Sequence, residues 1–279
     1  MLTGRKTEMM KVTLWSVVTF VTLVFILFPI YMLIKYSISD PSTLNTMGAP
    51  VPLWPNHPTL SILQYLFKSR EFWQVVRNSL GIAFSTVLLT MTLGVPAGFA
   101  LARNNIPFKK VFLILLISVR LFPDVSSVVP VTTFFIKLGL HDTFFGLVLV
   151  HTLLSLPYMI FISSSAFEFI SRDIEDQARV IGAGPIRIFT QILVPIVYPS
   201  LVAGAIYTFL LSWDEFIFAN YLLMNTATLP TYLNYNIGVG GIQPNVLAAI
   251  SVCLSLPVII FTFTVQRYMV SGISAGAVK

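Results

Sequence analysis

Residues 12–34 read VTLWSVVTFVTLVFILFPIYMLI, an apolar run without a charge. A helix needs about 20 apolar residues to cross the bilayer core, and this run has that length. It is too long for a signal-peptide core and lacks an A-x-A-like cleavage site, so it reads as a retained helix. Five further runs resemble it along the chain: Ser79–Ala102, Val111–Ile136, Phe144–Phe167, Leu201–Met224 and Val246–Val265. Backbone groups in lipid must be satisfied within a segment or within a closed barrel. Barrel strands alternate over about ten residues, and these runs are longer and uniformly apolar. The expected fold is an all-α integral membrane protein of about six transmembrane helices, forming one domain over residues 1–279.

Composition supports that class. Apolar residues make up 56% of the 279 and charged residues 10%, with a mean hydropathy of +0.85. A soluble domain carries about 25% charged residues. The net charge of +6 is scattered among apolar runs, with no basic stripe to suggest nucleic acid. The single cysteine, Cys253, permits neither an intrachain disulfide nor a cysteine metal cluster. His57, His141 and His151 lack metal-ligand spacing, so no metal and no catalytic residue is expected.

Lys and Arg counts orient the spans. With the N-terminus inside, the inner segments hold Arg5, Lys6, Lys11, Arg103, Lys109, Lys110, Arg172, Arg179, Arg187, Arg267 and Lys279. The outer segments hold Lys35, Lys68, Arg70, Arg77 and Lys137. Both termini are therefore expected in the cytoplasm. Between the first two spans, proline-rich Val51–Pro58 precedes an amphipathic segment, Thr59–Val76, expected to pack on the outer face.

The inner loop between spans four and five, residues 168–200, contains SRDIEDQARVIGAGPIRIFTQILVP at Ser171–Pro195. Ser171 is a helix-capping residue. Asp173, Glu175 and Asp176 follow in the first turns, where negative charge suits the helix dipole. Ala178, Val180 and Ile181 supply apolar surface. Gly182 or Gly184 can end the helix in the left-handed conformation. Pro185 suits the first turn of a second helix, Ile186–Leu193, expected to stop at Pro195. On physical grounds this helix–turn–helix is either a docking element or an ordinary structured loop.

The same stretch resembles the signature loop of ABC importer permeases, E-A-A-x-x-x-G-x9-I-x-L-P. Asp176, Gln177 and Ala178 occupy the first three positions, and Gly182, Ile192 and Pro195 fall at the matching spacing. Asp176 and Gln177 depart from the pattern, and Val194 stands where leucine is usual. Pro58-Thr59-Leu60, Gln64-Tyr65, Asn78-Ser79-Leu80, Leu156-Pro157-Tyr158, Ser212-Trp213-Asp214-Glu215-Phe216 and the terminal Gly276-Ala277-Val278-Lys279 are similar to the maltose-permease class of carbohydrate importers. The resemblance implies a coupling helix in this loop, including Ala183, that sits in a cleft of an ATPase subunit. It implies two ATPase subunits carrying ATP and Mg, a second and different permease chain, and an extracytoplasmic solute-binding protein. It also implies a bacterial or archaeal inner membrane. The chain itself has no G-x-x-x-x-G-K-[ST] phosphate loop, so neither cofactor nor ATP hydrolysis is expected on it.

Charges inside spans are costly and face a partner or a water-filled cavity. Arg120 and Asp124 are four apart and either neutralise each other or line the path. Asp214 and Glu215, expected near the middle of span five beside Trp213, bind solute hydroxyls, hold Arg120 or gate the path. His151 is a path residue or a packed, hydrogen-bonded one. Gly238, Gly240 and Gly241, before Pro244, read as a flexible outer loop that reaches the binding protein or merely connects. Asp142 reads as an ordinary loop residue. A transporter driven by an ion gradient is the alternative function, and a polyol or sugar phosphate the alternative cargo.

Overall fold

The computed structural model describes residues 2–40, 52–55, 57–239 and 243–276, and among them there is no β-strand, only an isolated bridge between Ser39 and Pro58. The helices are α1 (Leu2–Ser37), α2 (Ser61–Lys68), α3 (Arg70–Arg103), α4 (Lys109–Ser118), α5 (Asp124–Lys137), α6 (Phe144–Glu168), α7 (Arg172–Val180), α8 (Pro185–Trp213), α9 (Ile217–Leu222), α10 (Leu229–Val239) and α11 (Pro244–Gly276). Five of them, α1, α3, α6, α8 and α11, are long and apolar enough to span a bilayer. The pair α4 and α5, bent by 93°, makes a sixth span if it crosses as one.

Residues Met1–Ser69 and Leu233–Ser255 form one compact unit; Arg70–Tyr232 and Leu256–Lys279 form the other. In the first unit, α1 exposes Trp15, Phe20 and Phe25, as a helix does whose solvent is lipid. Its end buries Lys35, which donates to the Pro52 carbonyl and lies 4.9 Å from the Tyr36 ring centroid.

The second unit is built around α3 and α6. Gly98 allows their backbones to meet: an added Cβ would lie 2.0 Å from Ser163 Oγ and 2.7 Å from the Ser164 nitrogen. Small residues at four-residue spacing are how membrane helices approach closely, and Gly94 stands one turn before Gly98. Ser163 closes the contact by donating to the Gly94 carbonyl at 3.2 Å. One buried cluster gathers Ile82, Val128, Phe135, Leu147, Phe218 and Leu222 from α3, α5, α6 and α9. Another gathers Val95, Met159, Phe167, Ala178, Ile188 and Leu193 from α3, α6, α7 and α8.

Several boundaries differ from the sequence expectation. The amphipathic segment Thr59–Val76 is not one helix, because Ser69 is extended and ends α2. Its second half begins the span, which starts at Arg70 rather than Ser79. Gly238 lies in α10, a helix rather than a flexible loop, while Gly240 and Gly241 lie outside the described residues. The largest correction concerns span five. The helix from Pro185 does not stop at Pro195; it runs on to Trp213, so Asp214 and Glu215 stand at its end rather than in mid-span. Proline removes one amide donor and crowds the carbonyl four residues earlier. Residues Ile188–Leu193 absorb this by widening into a π-helical turn, with the Val194 amide bonding the Phe189 carbonyl.

Asp142 is more than a loop residue. It stands at φ 54° between α5 and α6. Its carboxylate accepts from the amides of Met224 at 2.8 Å and Asn225 at 3.0 Å, and from the Asn225 side chain. Its own amide donates to the Leu222 carbonyl. The two backbone donors hold the Asp142 carboxyl below the usual carboxylate range. A depressed carboxyl pKa stabilises the fold above the unfolded value, and the contribution is lost as pH falls through the folded value. Asp142→Ala should therefore speed hydrogen exchange at the Met224 and Asn225 amides at neutral pH. Its stability deficit should shrink in strong acid to the pH-independent cost of holding alanine at φ 54°. Unchanged exchange at neutral pH would show that the clamp contributes nothing.

Candidate functional site

Two places collect the polar chemistry. The first is the α7 loop. Ser171 caps α7, its hydroxyl 3.3 Å from the Asp173 amide. The end of α7 is a Schellman closure: the Gly182 amide bonds the Arg179 carbonyl and the Ala183 amide bonds the Ala178 carbonyl, both at 3.0 Å. Gly182 carries this at φ 85°, where only glycine is unstrained. Gly184 is extended and starts α8, with Pro185 in its first turn.

The residues read from the sequence divide in two. Asp173, Asp176, Gln177, Gly182, Gly184, Pro185 and Pro195 are exposed, whereas Ala183 and Ile192 are partly buried. Glu175 and Ala178 are both only 5% exposed. Ala178 thus does not add apolar surface but packs inward. Val180, Ile181 and Ile186 supply it, exposed by 87%, 84% and 78%. Ile186 was not singled out from the sequence, although its place one residue after Pro185 puts it on the same turn. Glu175 forms an ion pair with Arg103 at the end of α3. Asp176 instead pairs on the surface with Arg179 at 3.2 Å.

The second place is a cavity of about 350 Å³ in the larger unit, lined by Arg120, Asp124, Leu154, Leu210, Leu211, Asp214, Glu215, Phe216 and Ile217. Two interrupted helices meet there. Between α4 and α5, Phe122 and Pro123 are extended. Between α8 and α9, the helix breaks at Asp214–Phe216. Non-helical backbone at membrane depth is tolerated only where it is buried in protein or lines a cavity. Arg120 and Asp124 pair across the first break at 3.0 Å.

The second break rests on Glu215. Its carboxylate accepts the amides of Phe218 at 2.7 Å and Ala219 at 3.0 Å, which starts α9. It also faces His151 Nε2 at 3.1 Å. His151 is fully buried, with Nδ1 2.7 Å from Ser212 Oγ, and Thr86 Oγ1 lies 3.5 Å beyond. A carboxylate only accepts, so Nε2 donates to Glu215. The Asp214 amide bonds the Leu210 carbonyl, but its side chain has no hydrogen-bond or ion-pair partner among the described residues and is exposed.

Four of the six path residues read from the sequence, Arg120, Asp124, Asp214 and Glu215, thus line one cavity. His151 sits behind Glu215. Trp213 is buried and stacks on Phe209, with centroids 5.8 Å apart and planes at 14°. Sequence reasoning passed over Tyr158 and Tyr207, which meet edge to face at 5.0 Å. The Leu156-Pro157-Tyr158 motif carried half of that signal.

Comparison with known proteins gives a consistent result. The chain is 31% identical over 227 residues to a putative ABC transporter permease protein of Streptomyces antibioticus, covering 81% of this chain and 99% of that one. It is 29% identical over 273 residues to a trehalose transport system permease protein of Mycobacterium tuberculosis, covering 96% and 98%. Its fold matches a chain of a bacterial ABC transporter that imports the acidic polysaccharide alginate, with a TM-score of 0.78 at 24% identity over 91% of this chain and 94% of that chain. Residues 94–275, which include the α7 loop and both interrupted helices, match the family model for binding-protein-dependent transport system inner membrane components, and the chain belongs to that family.

Proposed function

We propose that this chain is a permease subunit of an ATP-driven importer for a sugar or sugar-like solute. With a second, different permease chain it forms the translocation path for a solute delivered by an extracytoplasmic binding protein. Two separate ATPase subunits bind ATP and Mg and dock on the loop at 171–187. Both termini and that loop face the cytoplasm of a bacterial or archaeal cell, and the whole chain acts as one permease domain.

The observation that carries the reading is the α7 loop. Its helix–turn–helix is closed by its own hydrogen bonds, yet exposes Val180, Ile181 and Ile186. Clustered apolar side chains rimmed by charge mark a protein interface. Membership of a binding-protein-dependent family sets the ion-gradient alternative aside. For the cargo, the trehalose relative supports a carbohydrate. The cavity agrees: the Arg120 charge is balanced by Asp124, and Asp214 offers free acceptor oxygens to hydroxyl groups. A sugar or polyol fits that balance better than a sugar phosphate.

The test is purification of the chain from its native membrane in mild detergent. A second permease, ATPase subunits and retained solute are expected to accompany it, and the chain alone should turn over no ATP. ATP turnover by the chain alone would refute the assignment. Reporter fusions should place Leu2 inside and Asn234 outside; the reverse would overturn the orientation.

A further inference from the structure

Glu175 and Asp176 are adjacent carboxylates on a short helix, but they do opposite things. Asp176 faces outward beside Arg179. Glu175 is turned inward to the Arg103 guanidinium, with side chains only 7% and 11% exposed, and its other oxygen lies 3.7 Å from the exposed Arg179. Arg103 also donates through Nη2 to the Ile170 carbonyl at 3.2 Å, and Arg172 returns a bond to the Arg103 carbonyl at 3.0 Å. One arginine at the end of α3 thus ties together α3, the end of α6 and α7.

We propose that the Arg103–Glu175 pair is a strut that makes α7 and α3 move as one body, so that force applied to the loop reaches the cavity through α3. Separating the pair leaves the buried Arg103 guanidinium without a carboxylate, which strongly disfavours sliding between the two helices. The far side of the same rod is also engaged. α3 packs backbone to backbone on α6 at Gly98, and its Thr86 lies 3.5 Å from Ser212, which touches His151. His151 in turn holds Glu215 at the cavity. The C-terminal end and the middle of α3 are therefore both fixed to polar groups that a displacement must carry along. Glu175 and Arg103 are positioning residues here, since neither lines the cavity.

This inference rests on the ATPase docking at the loop. The test uses the whole importer in vesicles, measuring ATPase retention, solute imported and ATP consumed. Glu175→Gln should keep the ATPase bound and hydrolysing while solute imported per ATP falls roughly 5- to 150-fold, the range spanned by couplings between sites. Glu175→Asp, which keeps the charge but shortens the reach, should fall in between. Exchanging the charges, Arg103→Glu with Glu175→Arg, should recover part of the ratio. A wild-type ratio in both single variants would overturn the strut. So would loss of ATPase binding in either, because Glu175 would then belong to the docking surface or the fold. An unaltered chain that carries no ATPase would instead overturn the docking reading itself.

Discussion

Gly182→Val is expected to leave the spans inserted and the chain folded, yet to weaken ATPase association and uncouple it from uptake. The reason is local. Gly182 closes α7 at φ 85°, and an added Cβ would meet nothing within 4 Å. The chain itself therefore has room for a side chain, and the cost falls on the backbone. Left-handed conformation costs an L-residue roughly 1–2 kcal/mol, and a β-branched side chain fares worst. That strain can be relieved only by opening the Schellman bonds to Arg179 and Ala178, which would swing Val180 and Ile181 out of place. A change of one to two kcal/mol is a factor of about 5–30 in an equilibrium. Gly182→Asn, which tolerates positive φ, should retain most docking if the backbone alone matters. If Gly182→Ala and Gly182→Asn fail as badly as Gly182→Val, a partner backbone approaches the glycine closely. Asp176→Lys should be milder, since a helix-start acid is worth roughly 0.3–1 kcal/mol at an exposed site. The measurement is co-purification of the ATPase with each variant alongside uptake and ATP hydrolysis. Normal assembly with normal coupled uptake in Gly182→Val would show that this turn transmits nothing.

The loop was legible because its signals are local. Capping serine, acidic first turn, glycine and proline lie within fifteen residues, Ser171 to Pro185, and each constrains its own backbone. The inward turn of Glu175 was hidden, because its partner Arg103 lies on another helix. Only the three-residue step from Glu175 to Ala178 hinted that both share the buried face. Span five shows the opposite failure. Hydropathy over Leu201–Met224 is high on both sides of Asp214, so a window sees one span where the chain breaks. The clue was the pair of carboxylates themselves. Acids are favoured at the first turn of a helix, and Glu215 stands two residues before Ile217, where α9 starts. The break at Pro123 has a simpler signal, since proline between Arg120 and Asp124 interrupts one apolar run. What pattern alone did not show is that the two breaks face one cavity.

That meeting separates two residues which the sequence treats alike. Asp214→Ala and Glu215→Ala should both reduce uptake, but for different reasons. The Asp214 carboxylate has no partner among the described residues, so its removal should leave thermal stability in detergent unchanged and raise the solute concentration needed for half-maximal uptake. Glu215 holds the Phe218 and Ala219 amides and the His151 ring. Loss of a helix cap costs about 0.5–2 kcal/mol. Leaving a buried donor such as His151 Nε2 unsatisfied costs about 1–3 kcal/mol more. Glu215→Ala should therefore lower the unfolding midpoint as well as uptake, whereas Glu215→Gln, which still accepts, should restore much of the stability. His151→Phe removes the ring that Glu215 leans on and leaves the Ser212 hydroxyl without its 2.7 Å partner. It should resemble Glu215→Ala in stability, and the double variant should cost less than the sum of the two, because they share one contact. Melting curves and uptake kinetics on all five variants decide the matter. Equal stability losses for Asp214→Ala and Glu215→Ala would refute the division of labour. Wild-type uptake in Asp214→Ala at equal expression would remove Asp214 from the solute path.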